Sequence, residues 1–296
     1  MLEKNIKIKA YSAWFAVSII WGTTYLAIRV GVGGMPPFIF SAPRWILAGI
    51  IYLVILKWRG YSFPKKSDYK HIVIVGLLLL GVANGFLAVA EQWIPSGLAA
   101  ILITTVPFVI VLLESVILRK RKLNLFIISG ILVGFIGVVF ILGNNLSLLL
   151  IPEYRLGIIL VSIGLFSWGS GSVYSKYHKL TVHPFMSAAF QMLFAGFFQL
   201  ILSVILGETE NFAISNNSML AFLYLLLFGS LIAYGSYMYA IEKLPISFVS
   251  TYAYINPVIA LFVGWFFLDE ILTIQIIIGA LIILVGVYLV NRGNNL

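Results

Sequence analysis

The sequence contains no cysteine and little charge. Its 296 residues include no cysteine, three histidines and 10% charged side chains, whereas soluble domains average about 25% charged. The lack of cysteine excludes disulfides, zinc–thiolate sites and thiol nucleophiles. The sequence also has no Gly-x-x-x-x-Gly-Lys-Ser/Thr motif, which excludes a P-loop ATP site in this chain. We therefore expect no cofactor and no metal.

The remaining composition is that of a membrane protein. Hydrophobic residues make up 61% of the chain and the mean hydropathy is +1.07. A membrane-spanning helix needs about 20 apolar residues, because unpaired backbone groups are not tolerated in hydrocarbon. Ten such segments are predicted, near 11–29, 36–56, 71–90, 95–118, 124–142, 156–175, 184–206, 218–240, 246–268 and 273–291. The loops between them are too short for an extramembrane domain.

The chain carries the same membrane unit twice. A shift of 147 residues lays Trp21-Gly22 on Trp168-Gly169 and Pro37-Phe38 on Pro184-Phe185. A shift of 150 pairs Ala83, Gly85, Ala90, Pro95 and Pro107 with Ala233, Gly235, Ala240, Pro245 and Pro257. Each copy has five segments, and because five is odd the second copy enters from the opposite side. We predict an all-α integral membrane protein of ten transmembrane helices, arranged as two inverted five-helix repeats at 1–148 and 149–296. This plan is typical of secondary transporters.

The net charge of +9 is concentrated on one side of this topology. The basic residues of that side are Lys4, Lys7, Lys9, Lys57, Arg59, Lys65, Lys66, Lys70, the run 119–122, Lys176, Lys179, Lys243 and Arg292. Arg29 and Arg155 border the other side, and Arg44 lies within a segment. The positive-inside rule then predicts that both termini are cytoplasmic in the cell membrane. The basic surplus is a topology signal and does not indicate nucleic-acid binding.

Two prolines occupy matched positions inside segments four and nine. Pro107 and Pro257 each remove a helical hydrogen bond and free the carbonyl four residues earlier, that of Ile103 or Ala253. We predict paired hinges beside a central cavity, and a packing kink is the alternative. Glycines seven residues apart on segments five and ten indicate a seam between repeats or between subunits, which is compatible with a homodimer.

Polar and aromatic side chains within the segments mark a substrate cavity. An interfacial aromatic belt is the alternative reading for aromatic residues near segment ends. The predicted cavity residues are Trp21, Thr24, Tyr25, Asn84, Trp168, Ser170, Tyr234, Tyr237, Tyr252 and Asn256.

Two ionisable residues within the apolar segments need partners. Arg44 and Glu91 are both predicted to lie toward the outer side of the bilayer, opposite the chain termini. Pairing them would lower the cost of burying both charges. We predict an Arg44–Glu91 pair with either a gating or proton-coupling role or a purely structural one.

Several of these motifs resemble the drug/metabolite transporter superfamily, specifically ten-helix exporters with two EamA domains. The resemblance covers nearly the whole chain. It rests on Trp21-Gly22-Thr23, on Arg44-Trp45-x-x-Ala48-Gly49, on the stretch from Ala90 to Ala100 and on the Asp269-Glu270 turn. It implies a cavity lined by segments one, three, four, six, eight and nine, and export by alternating access. The first half has a basic run where the family has an acidic turn, so no role is assigned to Glu270.

Three functions compete at this stage. The first is a secondary exporter of amino acids or amphipathic metabolites, whose partners are a small-molecule substrate and the lipid bilayer. A facilitator or lipid-moving protein is the second. The third is an intramembrane enzyme using Ser170, but His71, His178 and His183 all lie at predicted segment ends, far from a base position for that serine.

Overall fold

The computed structural model describes residues 2–118, 124–142, 150–178, 180–210, 214–259 and 274–294, and their regular structure is helical throughout. The uninterrupted helices are α1 (Leu2–Val32), α2 (Pro37–Trp58), α3 (Lys66–Ala90), α5 (Leu125–Leu142), α6 (Arg155–Tyr177), α7 (Pro184–Ile205), α8 (Asn216–Lys243) and α10 (Ile274–Asn294). α4 comprises Ser96–Ile103, Val106–Val111 and Leu112–Ile117, and α9 comprises Ile246–Val249 and residues 252–259. The Asp269-Glu270 turn and the basic run 119–122 lie outside the described residues.

Length and apolarity alone qualify 7 of the described helices as membrane spans, namely α1, α2, α3, α6, α7, α8 and α10. Val106–Ser115 and Leu125–Phe140 are shorter apolar helices. Large apolar side chains such as Phe15, Val54 and Ile201 are 58–63% exposed on the outside of the bundle. A surface of this kind suits hydrocarbon, and the chain is an all-helical multi-pass membrane protein. The ten-span inverted arrangement stays a prediction.

α3 and α8 share an unusual local geometry. Both widen into a π-helix in mid-course, over Leu77–Asn84 in α3 and Leu225–Tyr234 in α8. The shift of 150 residues that relates the two halves lays Asn84 on Tyr234. Single π-helical turns within α-helices occur frequently at functional sites. Asn84 and Tyr234 end the two π-helical segments at matched positions and are therefore candidates for a functional site.

The interruptions of α4 and α9 differ from the predicted pair of proline kinks. α4 breaks at Thr104 and Thr105, directly after Ile103 and directly before the turn of helix that carries Pro107. In α9 the break falls at residues 250–251, so that Pro257 lies inside the following helix. Both halves therefore contain a broken helix, but the breaks are at unmatched positions, because only the first lies next to its proline.

α2 and α7 cross in close contact at a matched pair of glycines. A Cβ atom on Gly49 would lie 2.8 Å from the Ala189 carbonyl oxygen, and one on Gly196 would lie 3.0 Å from that of Ala42. Gly49, late in α2, thus meets the early part of α7, and Gly196, later in α7, meets the early part of α2. The two helices run antiparallel, and the contact made by each glycine reproduces the contact made by the other.

α5 and α10 form a second seam of the same kind. A Cβ atom on Gly130 would lie 2.8 Å from the Gly286 carbonyl oxygen, and one on Gly137 would lie 3.0 Å from that of Gly279. This register is again antiparallel. The glycine faces predicted to form a seam therefore join the two halves of one chain, because small residues let backbones approach closely where lipid provides no hydrophobic drive.

Matched cations cap the ends of α3 and α8. The Arg29 guanidinium on α1 donates to the main-chain carbonyl of Glu91, and the Lys176 ammonium on α6 donates to that of Ile241 at 2.8 Å. A shift of 147 relates the two cations and a shift of 150 relates the two acceptors. The last carbonyls of a helix lack intrahelical partners and attract positive charge. In each half, a cation on the first helix thus binds a carbonyl group at the end of the third helix.

We expect Gly286→Ala to destabilise the protein, because the added methyl carbon would lie 2.6 Å from the Gly134 amide nitrogen and the backbones would have to separate. Overpacking of this kind costs about 1–3 kcal/mol. Thermal unfolding in detergent measures the loss. The matched control is Gly229→Ala, whose Cβ atom would meet side-chain atoms of Leu225, Thr24 and Arg44 at 3.4–3.8 Å and no backbone atom of another helix nearer than these. Equal melting temperatures for the two variants would contradict the seam.

Candidate functional site

A cavity lies between the two halves of the bundle. Its volume is about 80 Å³, and one water molecule needs roughly 10–15 Å³ by the same measure. It therefore has room for several water-sized groups. Six of the ten predicted cavity residues line it, together with Arg44: Trp21, Thr24, Tyr25, Asn84, Trp168 and Tyr252. The other lining residues are Ile28, Trp45, Leu80, Ala83, Leu87, Ile103, Val106, Val161, Gly164, Leu165, Leu225 and Gly229.

An aromatic cluster forms one wall of the cavity. The rings of Trp21 and Trp168, which are equivalent in the two halves, meet edge to face with centroids 5.3 Å apart. Tyr252 packs against Trp21 at 5.1 Å, and Tyr237 packs against both indoles from behind. The Trp168 indole nitrogen donates to the Tyr237 hydroxyl at 3.0 Å. Tyr237 therefore supports the wall without lining the cavity.

The aromatic cluster lies between the cavity and the end of the bundle where α1 begins. That end also holds the start of α9 and the end of α10, because Tyr11 packs against Phe248 at 5.3 Å and lies 3.4 Å from Asn291. Along α1, Trp21 comes before the other lining residues. Along α8, which runs toward the same end, Tyr237 follows the lining residue Gly229. The aromatic rings thus lie on this side of the cavity.

Arg44 binds Asn84 rather than the predicted partner Glu91. Its Nη2 donates to the Asn84 side-chain oxygen at 2.9 Å, and its Nη1 lies 3.4 Å from the Ser230 hydroxyl. The guanidinium also lies over the Trp45 ring, 4.3 Å from the centroid. Among the described residues no ion pair joins Arg44 to Glu91, so that predicted pair is wrong. Seven residues of α3 separate Asn84 from Glu91, about 10 Å along the axis, which puts Glu91 at another level of the bundle.

Glu91 is fully buried at the end of α3. Neither oxygen of its carboxyl group has a hydrogen-bond partner among the described residues. One helical turn earlier, Leu87 lines the cavity. A carboxyl group in this setting can take up a proton without losing a hydrogen bond, and burying it without a partner as an anion is costly.

The remaining predicted cavity residues lie outside the lining. The Tyr234 hydroxyl donates to the side-chain oxygen of Gln191 at 2.5 Å. The Asn256 amide lies 3.3 Å from the Tyr25 hydroxyl, and when it is turned so that both of its ends are satisfied its nitrogen donates to the carbonyls of Ser18 and Tyr252. Ser170 is partly exposed on α6. Asn256 therefore braces a cavity residue, whereas Tyr234 and Ser170 have other surroundings.

The three histidines belong to helix ends rather than to the cavity lining. The Tyr174 hydroxyl lies 2.6 Å from Nδ1 of His71, and the His178 ring stacks on Tyr174 at 3.9 Å. His183 begins α7, where its Nδ1 accepts from the Phe185 amide at 3.4 Å. Burial lowers the pKa of the His183 imidazole, which favours the neutral form needed for that acceptor role.

Sequence reasoning missed the hydrogen-bonding partners of these residues. Ser230, Gln191 and Trp45 were absent from the predicted site. One signal was present: the shift of 147 lays Arg44 on Gln191, just as the shift of 150 lays Asn84 on Tyr234. The pair Arg44–Asn84 in the first half and the pair Gln191–Tyr234 in the second are therefore the same contact made twice.

This bundle, with a cavity between two matched halves, is the fold of a membrane transporter family. The chain belongs to the EamA-like transporter family, whose model matches residues 8–143 and again 155–292. It is 40% identical to the uncharacterized inner membrane transporter YedA of Escherichia coli (strain K12) over 257 residues, 86% of this chain and 81% of YedA. It is 26% identical to the uncharacterized transporter YoaV of Bacillus subtilis, covering 95% of this chain and 96% of YoaV. A solved protein structure superposes with a TM-score of 0.79 at 20% identity, over 97% of both chains.

We expect Asn84→Ala to destabilise the protein, because it removes the acceptor of both the Arg44 guanidinium and the Trp45 indole nitrogen. A buried charged donor left without its partner costs about 1–3 kcal/mol or more. Asn84→Asp should instead keep or raise the melting temperature, because it replaces a neutral acceptor by a charged one. Unfolding of the three proteins in detergent makes the comparison. An alanine variant as stable as the parent would show that the contact is dispensable.

Proposed function

We propose that this protein is a secondary transporter that exports small organic metabolites across the cytoplasmic membrane by alternating access. The observation that carries the proposal is the position of the cavity between two halves that make reciprocal contacts. In transporters built from inverted repeats, rocking of one repeat against the other exposes a central site to each side in turn.

Three contacts between equivalent elements support an inverted repeat of two five-helix units, 1–148 and 149–296. α2 and α7 are antiparallel at Gly49 and Gly196, and α5 and α10 are antiparallel along their glycine faces. Trp21 and Trp168 meet each other in one wall of the cavity. Equivalent helices that run in opposite directions are what ten spans in two inverted copies require.

The positions of the two chain termini support an orientation of the bundle in the membrane. The start of α1 and the end of α10 lie at one end of the bundle, where Tyr11 approaches Asn291. The basic loops of the chain belong to that end in the predicted topology, which supports cytoplasmic termini. With this orientation the aromatic cluster lies on the cytoplasmic side of the cavity.

The lining of the cavity suits an amphipathic solute such as an amino acid or a related metabolite. Trp21, Trp168 and Tyr252 offer ring faces and edges for stacking or cation–π contacts. Thr24 and Asn84 add polar groups. None of the histidines is among the described residues that line the cavity, so the described lining offers no evident base for hydrolysis, and a transport role is favoured over an enzymatic one.

The test is a flux measurement with purified protein in liposomes. Labelled amino acids and related metabolites are offered with and without an imposed pH gradient. Flux of a solute that follows the gradient supports a proton-coupled carrier, and flux that ignores the gradient indicates a facilitator. If no soluble compound moves while labelled lipid headgroups change leaflet, the protein moves lipid and the proposal is wrong.

Glu91 is the proposed coupling residue, because its carboxyl group is buried, lacks a hydrogen-bond partner among the described residues and follows the cavity residue Leu87 by one turn. We expect Glu91→Gln to abolish the effect of the pH gradient on flux while exchange of labelled substrate continues. The equivalent residue of the second half is the buried apolar Ile241, which indicates that the fold does not need an acid there. An unchanged pH dependence in the variant would remove Glu91 from the mechanism.

Pro107 and Pro257 are the proposed hinges, each in one of the two interrupted helices. We expect Pro107→Ala and Pro257→Ala to slow turnover more than they weaken substrate binding, because a restored helical hydrogen bond stiffens the segment. We expect the larger effect for Pro107, which lies in the first turn after the break at Thr104 and Thr105, because alanine at that position would let α4 continue as one helix across the break. Parent-like rates for both variants would show that the prolines serve packing alone. Rates are read from flux and affinities from equilibrium binding.

A further inference from the structure

The cavity contains a buried cation with incomplete partners. Arg44 is 2% exposed, lines the cavity and stays protonated under all ordinary conditions. Its guanidinium has five N–H donors. Two of them meet neutral acceptors, the amide oxygen of Asn84 at 2.9 Å and the hydroxyl of Ser230 at 3.4 Å. Nε has no partner, and within the described ranges no carboxylate pairs with this residue.

The second half of the chain shows what the fold itself needs at this position. Gln191 is the equivalent of Arg44 and is also fully buried. Its amide is satisfied on both sides, accepting from the Tyr234 hydroxyl at 2.5 Å and donating to the Ser187 hydroxyl at 2.8 Å. A neutral hydrogen-bonding side chain therefore completes the contact between the second and third helices of a repeat. The positive charge of Arg44 is additional to that structural role.

The rest of the lining fits the same conclusion. Arg44 is the one charged residue among the described residues that line the cavity. The other described lining residues are apolar or aromatic apart from Thr24, Tyr25 and Asn84. An unpaired charge buried in such a place is costly. A substrate that brings a negative charge would remove that cost each time it binds.

We propose that Arg44 is the anchor for a carboxylate, and that the substrates of the proposed transporter are small organic carboxylates with an apolar or aromatic body. The planar guanidinium matches a carboxylate with two parallel hydrogen bonds. The body of the substrate then lies against Trp21 and Trp168. This inference rests on the proposed function and names its substrate class. No described lining residue is acidic, so this site disfavours a solute whose only charge is positive.

Binding of matched probes tests the proposal. Purified protein in detergent is titrated with phenylacetate, phenylacetamide and phenethylamine, which share a ring and differ in charge, and quenching of tryptophan emission is followed. We expect phenylacetate to bind at least about tenfold more tightly than phenylacetamide, the ratio expected for one charge-assisted hydrogen-bonded contact. Phenethylamine should bind most weakly.

Arg44→Gln separates the charge from the fold, because it gives the first half the side chain that the second half already carries. This variant should lose the preference for phenylacetate and keep its affinity for phenylacetamide. Arg155→Gln, an exposed arginine at the start of α6, is the control and should behave like the parent. If Arg44 were only structural, the variant would lose affinity for both compounds alike, and the proposal would be overturned.

Asn84→Asp provides a second test in which Arg44 stays in place. The new carboxylate would lie against the guanidinium and supply the missing negative charge, so the protein should fold normally and lose its preference for phenylacetate. A retained preference in this variant, or equal binding of the charged and neutral probes by the parent, would overturn the proposal. So would the absence of binding by phenylacetate, benzoate and isovalerate alike.

The outcome is independent of the transport experiment. Carboxylate binding that depends on Arg44 without any flux in liposomes would overturn the transporter and leave the anion site standing. Flux of neutral or cationic solutes that is unaffected by Arg44→Gln would support the transporter and overturn the anion site.

Discussion

Close approach of helices at glycines is the constraint on which the rest of this structure depends. At Gly49, Gly196 and Gly286 an added methyl group would meet backbone atoms of the neighbouring helix at 3.0 Å or less. In a bilayer the lipid tails are as apolar as leucine, so helices associate through such packing rather than through exclusion from water. These contacts set the axial register of the two halves. The meeting of Trp21 with Trp168, and the cavity beside them, follow from that register.

The two halves share their scaffold and differ in their buried charges. Arg29 and Lys176 cap equivalent helix ends in the same way. Arg44, by contrast, has a neutral counterpart in Gln191, and the counterpart of Glu91 is Ile241. A buried ionisable group costs free energy unless it is paired or hydrogen-bonded. Since the second half forms the same contacts without these charges, folding does not account for them, and the proposed substrate and coupling sites give them a purpose.

Much of the candidate site could be predicted from the sequence, and the error in the predicted partner of Arg44 has a physical cause. Polar and aromatic positions within apolar segments pointed to Trp21, Tyr25, Asn84 and Tyr252, which do line the cavity. The predicted partner of Arg44 was wrong, because estimating depth from a segment end ignores the offset between neighbouring helices. The hinge role of Pro107 and Pro257 stays a prediction, and the α9 break falls several residues before Pro257. A proline shows where a helix lacks a backbone hydrogen bond, whereas packing against neighbouring helices decides where the helix is interrupted.

Hydropathy, repeat offsets and the placement of small residues are local properties, so the sequence alone determined the helical membrane class, the two related halves and the glycine faces that join them. The tertiary structure decided which side chains meet. It set Arg44 against Asn84 and Ser230 and put Tyr237 behind the indoles rather than in the lining. It also left the Glu91 carboxyl group without a hydrogen bond to any residue that the structure describes. Those outcomes depend on the rotation and axial offset of each helix by a fraction of a turn. A periodic pattern of apolar residues does not specify quantities that small, because every helix face can be rotated slightly without changing the pattern.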